Sequence, residues 1–150
     1  MKRTTLLVFI AASFGFASVA HADSAKSLLN TLPKSLRENS QTIFSANTIG
    51  QLSLNTQYKK ISLDNLLSNI RVDLAKVGYC EEPIRTNVTR GTFSATWAPP
   101  KGTTVDGTSK GNYAVLTTQA VMLDQSTINL NTSFRDVLAG DQAVTTSCYE

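Results

Sequence analysis

Apolar residues recur at three- and four-residue steps from Leu63 through Leu66, Leu67, Ile70, Leu74 and Val77. That spacing places them on one face of a helix and predicts a helix over 62–77. The flanking residues agree with it. Ser62 can cap the first turn with its hydroxyl. Asp64 and Lys76 stand where the helix dipole favours a negative and a positive charge respectively. Gly78 can adopt the left-handed conformation that closes a helix. The same periodicity, weaker, marks the stretch 24–32, where Ala25, Leu28, Leu29 and Leu32 share a face. Pro33 suits the start of a second helix, from Lys34 to about Ser45, with Leu36, Ile43 and Phe44 inward. Asn39, Ser40 and Thr42 are poor helix formers within it. The alternative for 23–45 is a mobile helical arm, because chain ends order poorly unless docked.

Elsewhere the period is two. Leu52, Leu54, Thr56 and Tyr58 alternate with polar residues and predict a half-buried strand over 51–58. Thr92 to Ala98 predicts a second strand, carrying Phe93 and Trp97. Tyr113 to Leu123 is apolar on both faces, as expected of a central strand. Asp124-Gln125-Ser126 is a turn, after which Ile128, Leu130, Thr132 and Phe134 alternate with Asn and Ser. A hairpin 113–123/127–134 follows from that pattern. Val137-Leu138 is a short apolar step before Gly140, and Ala143 to Tyr149 is the last predicted strand. The expected fold is α+β. An N-terminal helical segment and the 62–77 helix pack on an antiparallel sheet of four or five strands, and one disulfide ties the chain.

The first 22 residues are expected to be a leader. Lys2 and Arg3 precede an apolar run over 6–19 that is too short for a membrane anchor, and Ala20-His21-Ala22 is a small-x-small cleavage pattern. Cleavage near Ala22 of this bacterial-type leader implies a periplasmic or secreted product, with a single domain over 23–150. Removing the leader also changes the charge. Of 14 basic residues against 11 acidic ones, loss of Lys2 and Arg3 leaves 12 against 11, a net charge of +1. No broad positive field for nucleic acid remains, and no second apolar run is long enough for a transmembrane anchor.

The leader takes with it the chain's one histidine, His21. Histidine-based nucleophilic catalysis, histidine zinc ligation and a histidine pH switch then have no residue to use. The two cysteines, Cys80 and Cys148, are expected to pair in an oxidising compartment, closing a loop of about 70 residues worth about 4 kcal/mol. A buried free thiol and an intermolecular bridge through Cys148 are the alternatives. No metal or cofactor is implied: Gly102, Gly107 and Gly111 have no phosphate-loop spacing and suggest flexibility. Glu81-Glu82 is expected to be a solvated turn with Arg85 or Arg90 nearby.

The stretch from Pro99 to Asn112 carries no periodic pattern, and long irregular loops tend to bind or to be disordered. Lys101, Asp106 and Lys110 lie in it, with Trp97 and Tyr113 at its ends; these five are the candidate partner contacts. Alternation itself places Trp97 in the core, and an exposed Trp97 is the competing reading. The function expected is non-enzymatic: a small exported bacterial protein that binds another macromolecule, a protein or an envelope polymer, as accessory, inhibitor or assembly factor. The runner-up is a structural subunit of a surface appendage or adhesin, and a carboxylate-based hydrolase comes third. If the chain is exported and bridged, protein recovered from the periplasm carries no group that reacts with a thiol reagent. Labelling of both cysteines without prior reduction would contradict the bridge.

Overall fold

A computed structural model describes residues 23–44, 52–110 and 112–138. The leader, the predicted strand at 143–149 and Cys148 lie outside the described residues. Cys80 is the one cysteine within them, so the expected Cys80–Cys148 bridge lies outside them as well.

The chain folds as α+β around an antiparallel sheet. Helix α1 (Ala25–Thr31) begins at Ser24, whose hydroxyl accepts from the Ser27 N–H at 3.3 Å. Helix α2 (Lys34–Arg37) is a single turn after Pro33. Strands β1 (Gln41–Phe44) and β2 (Leu52–Lys59) come next, then helix α3 (Leu63–Lys76) and strand β3 (Cys80–Glu81). A short 3₁₀ turn (Pro83–Arg85) leads to β4 (Asn87–Thr89), β5 (Thr92–Ala98), β6 (Asn112–Met122) and β7 (Thr127–Leu138). The strands lie in the order β1-β2-β7-β6-β5-β3, with β4 also paired to β5.

Among the described residues the sheet has seven strands instead of four or five, and each unpredicted one has a local cause. The second predicted helix stops after one turn because Asn39 takes a left-handed φ of 60°, which breaks the helical run. The β-branched Thr42 and Ile43 then continue as β1, which pairs with β2 from Gln41↔Asn55 to Phe44↔Leu52. Strands β3 and β4 are two and three residues long, too short to leave a periodic trace. Together they line the same edge of β5. The predicted hairpin forms as β6 and β7 in the register Leu116↔Phe134, and β7 runs on to Leu138. Arg135 and Asp136 interrupt the alternation there. Asp136 accepts from the Asn112 side-chain amide at 3.3 Å.

Helix α3 is as expected at both ends. The Ser62 hydroxyl accepts from the Asn65 N–H at 3.2 Å. At the other end the Tyr79 N–H donates to the Leu74 carbonyl at 3.0 Å and the Gly78 N–H to Ala75 at 3.1 Å. This paired closure needs a left-handed residue, and Gly78 supplies it at φ 86°. The closure also corrects the predicted inner face. Val77 is turned outward, 41% exposed, while Tyr79 is turned in and buried, its ring centroid 6.4 Å from that of Phe134.

The three helices share one core with one face of the sheet. Leu28, Leu29, Leu32 and Leu36 join Leu66, Leu67, Ile70 and Leu74 over Phe93, Trp97, Leu116, Leu130 and Phe134. The α2 turn is tied to β2 by the Tyr58 hydroxyl, which donates to the Ser35 carbonyl, and by Thr56 donating to Leu36 at 3.4 Å. The other face is more polar, although the buried Val115 and Val137 also lie on it. The register places Ser53, Ser133, Thr117 and Thr96 in one row across four strands, and Asn55, Asn131, Gln119 and Ser94 in the next.

Candidate functional site

The stretch between β5 and β6 is not structureless. It is a chain of turns pinned at its middle. Val105 is buried and belongs to the core. It pairs in parallel with Asp23, whose N–H donates to the Thr104 carbonyl and whose carbonyl accepts from the Asp106 N–H, both at 3.0 Å. Thr103 N–H closes a turn onto Pro100 at 3.0 Å, and the Thr108 hydroxyl donates to the Val105 carbonyl at 2.8 Å. Gly102 and Gly107 sit at positive φ, 86° and 81°. They serve turn conformations that other residues adopt reluctantly, a more specific role than the flexibility expected of them. At Gly78 the loop touches the helix end: a Cβ there would meet Pro100 Cγ at 3.2 Å.

Held in this way, the loop walls a cleft of about 360 Å³ lined by Pro99 to Val105, Thr108, Asn112, Tyr113 and Ala114. Lys101 and Tyr113 line it; Asp106 and Lys110 are exposed on the same loop outside it. Trp97 does not join them. It is 1% exposed, and its indole N–H donates to the buried Thr118 hydroxyl at 3.0 Å. A buried indole with its one donor satisfied is a core residue, so the candidate contact set contracts to Lys101, Asp106, Lys110 and Tyr113.

The adjacent acids Glu81 and Glu82 part company instead of forming a solvated turn. Glu81 faces Arg71 of α3 in a two-pronged ion pair, with Nε and Nη2 at 2.7 and 2.9 Å. That pair holds the Glu81 carboxyl below its ordinary range, the Arg71 hydrogen bond being the main cause. Glu82 is fully buried, with Arg85 Nε 3.4 Å from its Oε2. Neither of its oxygens accepts a hydrogen bond from the described residues. Burial pushes its carboxyl up from the ordinary value, against the opposing charges of Arg85 and Arg135. The two acids therefore do not present an open acid and base. Among the described residues, no three of His, Cys, Asp and Glu come together as a metal set, and no helix is long and apolar enough to cross a membrane.

Sequence reasoning missed two features of this region, the Asp23–Val105 bridge and the buried Glu82. The bridge joins residues 82 positions apart and is made by backbone atoms, which carry no side-chain signature. Glu82 had one hint, Arg85 three residues on, which is also the commonplace pattern of an exposed pair. No family model, curated protein or solved structure matches the chain.

The Glu82 site makes a signed prediction. A carboxyl whose pKa is raised on folding adds stability that is complete at low pH and is lost as pH rises through the folded-state value. Against a Glu82→Gln variant, the wild-type chain should lose thermal stability as pH rises above the ordinary glutamate range. Wild-type gaining on the variant over that rise would show that the arginines outweigh burial.

Proposed function

We propose that the chain is a small exported protein that acts without catalysis, by binding another macromolecule at the 99–112 loop. The observation that carries this reading is the cleft itself. An irregular loop of this length is held in one shape by Val105 in the core and by Asp23 on its backbone. It presents Lys101, Asp106 and Lys110 outward. Preorganising exposed contacts in this way lowers the ordering cost of association. Interfaces also combine such polar rims with half-buried aromatic residues, the place Tyr113 occupies here.

The leader pattern supports export to the periplasm or beyond. Loss of His21 with the leader supports recognition over histidine-based chemistry. The Cys80–Cys148 bridge belongs to the same proposal: it would tie β3 to the end of the chain in an oxidising compartment. The second reading, a surface-appendage subunit, draws on β1. This strand is four residues long and lies at the end of the strand order, where strand addition from another subunit would occur.

The test is affinity capture from an envelope extract with immobilised wild-type chain and a Lys101→Glu/Lys110→Glu variant. Both substitutions lie on exposed loop positions and should leave the thermal midpoint unchanged. The wild type should retain a discrete partner that the variant loses by about tenfold. Equal capture by both chains would remove the loop from the function.

A further inference from the structure

The sheet face turned away from the helices carries a continuous row of uncharged polar side chains. The register aligns Gln41 of β1, Asn55 of β2, Asn131 of β7, Gln119 of β6, Ser94 of β5 and Asn87 of β4 across six strands. All but Ser94 are carboxamides. The neighbouring row holds Gln57, Asn129, Val121, Thr92 and Thr89. Every residue of the two rows is exposed or partly exposed. No charged residue stands in either row; on this face Lys59 and Arg135 lie beyond them, at opposite ends of the strands.

Solvent exposure alone does not account for this choice of residues. Asparagine is depleted in strands, because its side chain competes for backbone hydrogen bonds. Asn55, Asn129 and Asn131 nevertheless stand inside β2 and β7. Threonine would supply polarity at those positions with better strand propensity. A local choice that opposes the fold is expected where a site is built. The surface is also concave at both ends of the row. Asn39, Gln41, Asn55 and Gln57 form the walls of a depression of about 310 Å³. Asn87, Thr92, Ser94 and Gln119 line part of a second one, of about 240 Å³.

We propose that this face binds a neutral, extended glycan laid across the strands. A carboxamide both donates and accepts hydrogen bonds, as a sugar hydroxyl does, so the two surfaces are complementary without charge. Strand spacing sets the repeat of the row at about 4.8 Å and its span from β1 to β4 at about 24 Å. An extended chain of pyranose rings repeats at nearly that distance, so successive rings meet successive strands. A polypeptide laid along the row would present same-face side chains about 6.7 Å apart and fall out of step. A polyanion would find no cation within the rows. Val121, 40% exposed in the second row, offers an apolar contact for the C–H face of a ring. Exchanging water for a sugar hydroxyl gains little at each amide, so affinity accumulates along the row. This face shares no lining residue with the 99–112 loop cleft and stands whether or not that cleft binds.

The test titrates the purified chain with cello- and chito-oligosaccharides, each as disaccharide and hexasaccharide. The side-chain NH₂ resonances of Asn55, Asn131 and Gln119 are followed by NMR. In at least one series the hexasaccharide should bind about tenfold more tightly than the disaccharide, because more rings engage the row at once. Added salt should leave that affinity unchanged, and the shifted resonances should trace the row from Gln41 to Asn87. Gln119→Ala/Asn131→Ala should weaken hexasaccharide binding by about tenfold at an unchanged thermal midpoint. Lys101→Glu in the loop should leave it as it was. The wild-type resonances report on the site independently of either variant. Several outcomes would each overturn the assignment. These are binding of neither series, equal affinity for both lengths, shifts confined to the loop cleft, preference for a sulfated glycan that salt weakens, and self-association that Gln119→Ala/Asn131→Ala dissolves.

Discussion

The structure depends on one layer of burial. Leu66, Leu67, Ile70 and Leu74 of α3 lie with Trp97, Leu116, Leu130 and Phe134 from the three central strands in a single core. Full burial of an aliphatic or aromatic side chain stabilises by about 1.5–3 kcal/mol, and ordering the chain costs a comparable total. A single-layer core therefore leaves little reserve, and each part of it has to be well made. Thr118 illustrates the constraint. It is a hydroxyl in the middle of an apolar layer, and it is tolerated because it accepts the Trp97 indole N–H. An unpaired indole there would carry its own desolvation cost. The helical N-terminus contributes to the same layer through Leu28, Leu29, Leu32 and Leu36, so it is part of the core.

A rigid middle holds the two ends of the sheet in different ways. At one end the long β5–β6 connection is shaped by two contacts that are not local to it, Val105 in the core and Asp23 along its backbone. At the other end the β4–β5 and β6–β7 turns and the entry to α3 are tied together by backbone hydrogen bonds. The charges follow the same division. Charged side chains near the sheet edge are used structurally: Arg71 with Glu81, and Arg85 and Arg135 around Glu82. Exposed cations lie at both ends, Lys101 and Lys110 on the loop and Lys60 and Arg90 at the opposite turns, and also on the helices, at Lys26, Lys34, Arg37 and Lys76.

Elements that bury one face over several turns were visible in the sequence, and those that do not were hidden. Helix α3, its cap residues and the β6–β7 hairpin follow from side-chain period alone, because three or more repeats of a pattern have one geometric solution. The predicted helix after Pro33 failed at Asn39, where a single left-handed backbone angle turns the chain into β1, a change that side-chain period does not signal. Val77 was misplaced for a related reason. Helical period continues it inward, but the left-handed Gly78 ends the helix and exchanges its position for Tyr79. The loop carries no periodic pattern, since its order comes from Asp23 and from a single buried valine. The carboxamide row was invisible, because it is assembled from single residues of separate strands, none of which is distinctive alone. Trp97 shows the converse: alternation places it in the core, where it lies, and its position at the end of the loop made it a candidate contact.

The central claim is that α3 and the middle strands form one cooperative unit on which both ends are mounted. Native-state hydrogen exchange across a denaturant series measures this directly. The amides of Leu67 to Leu74 in α3 and those of Thr96, Leu116 to Thr118 and Leu130 to Phe134 should share one opening free energy, equal to that of global unfolding. Helix α3 opening separately, at lower free energy than the strands, would contradict it.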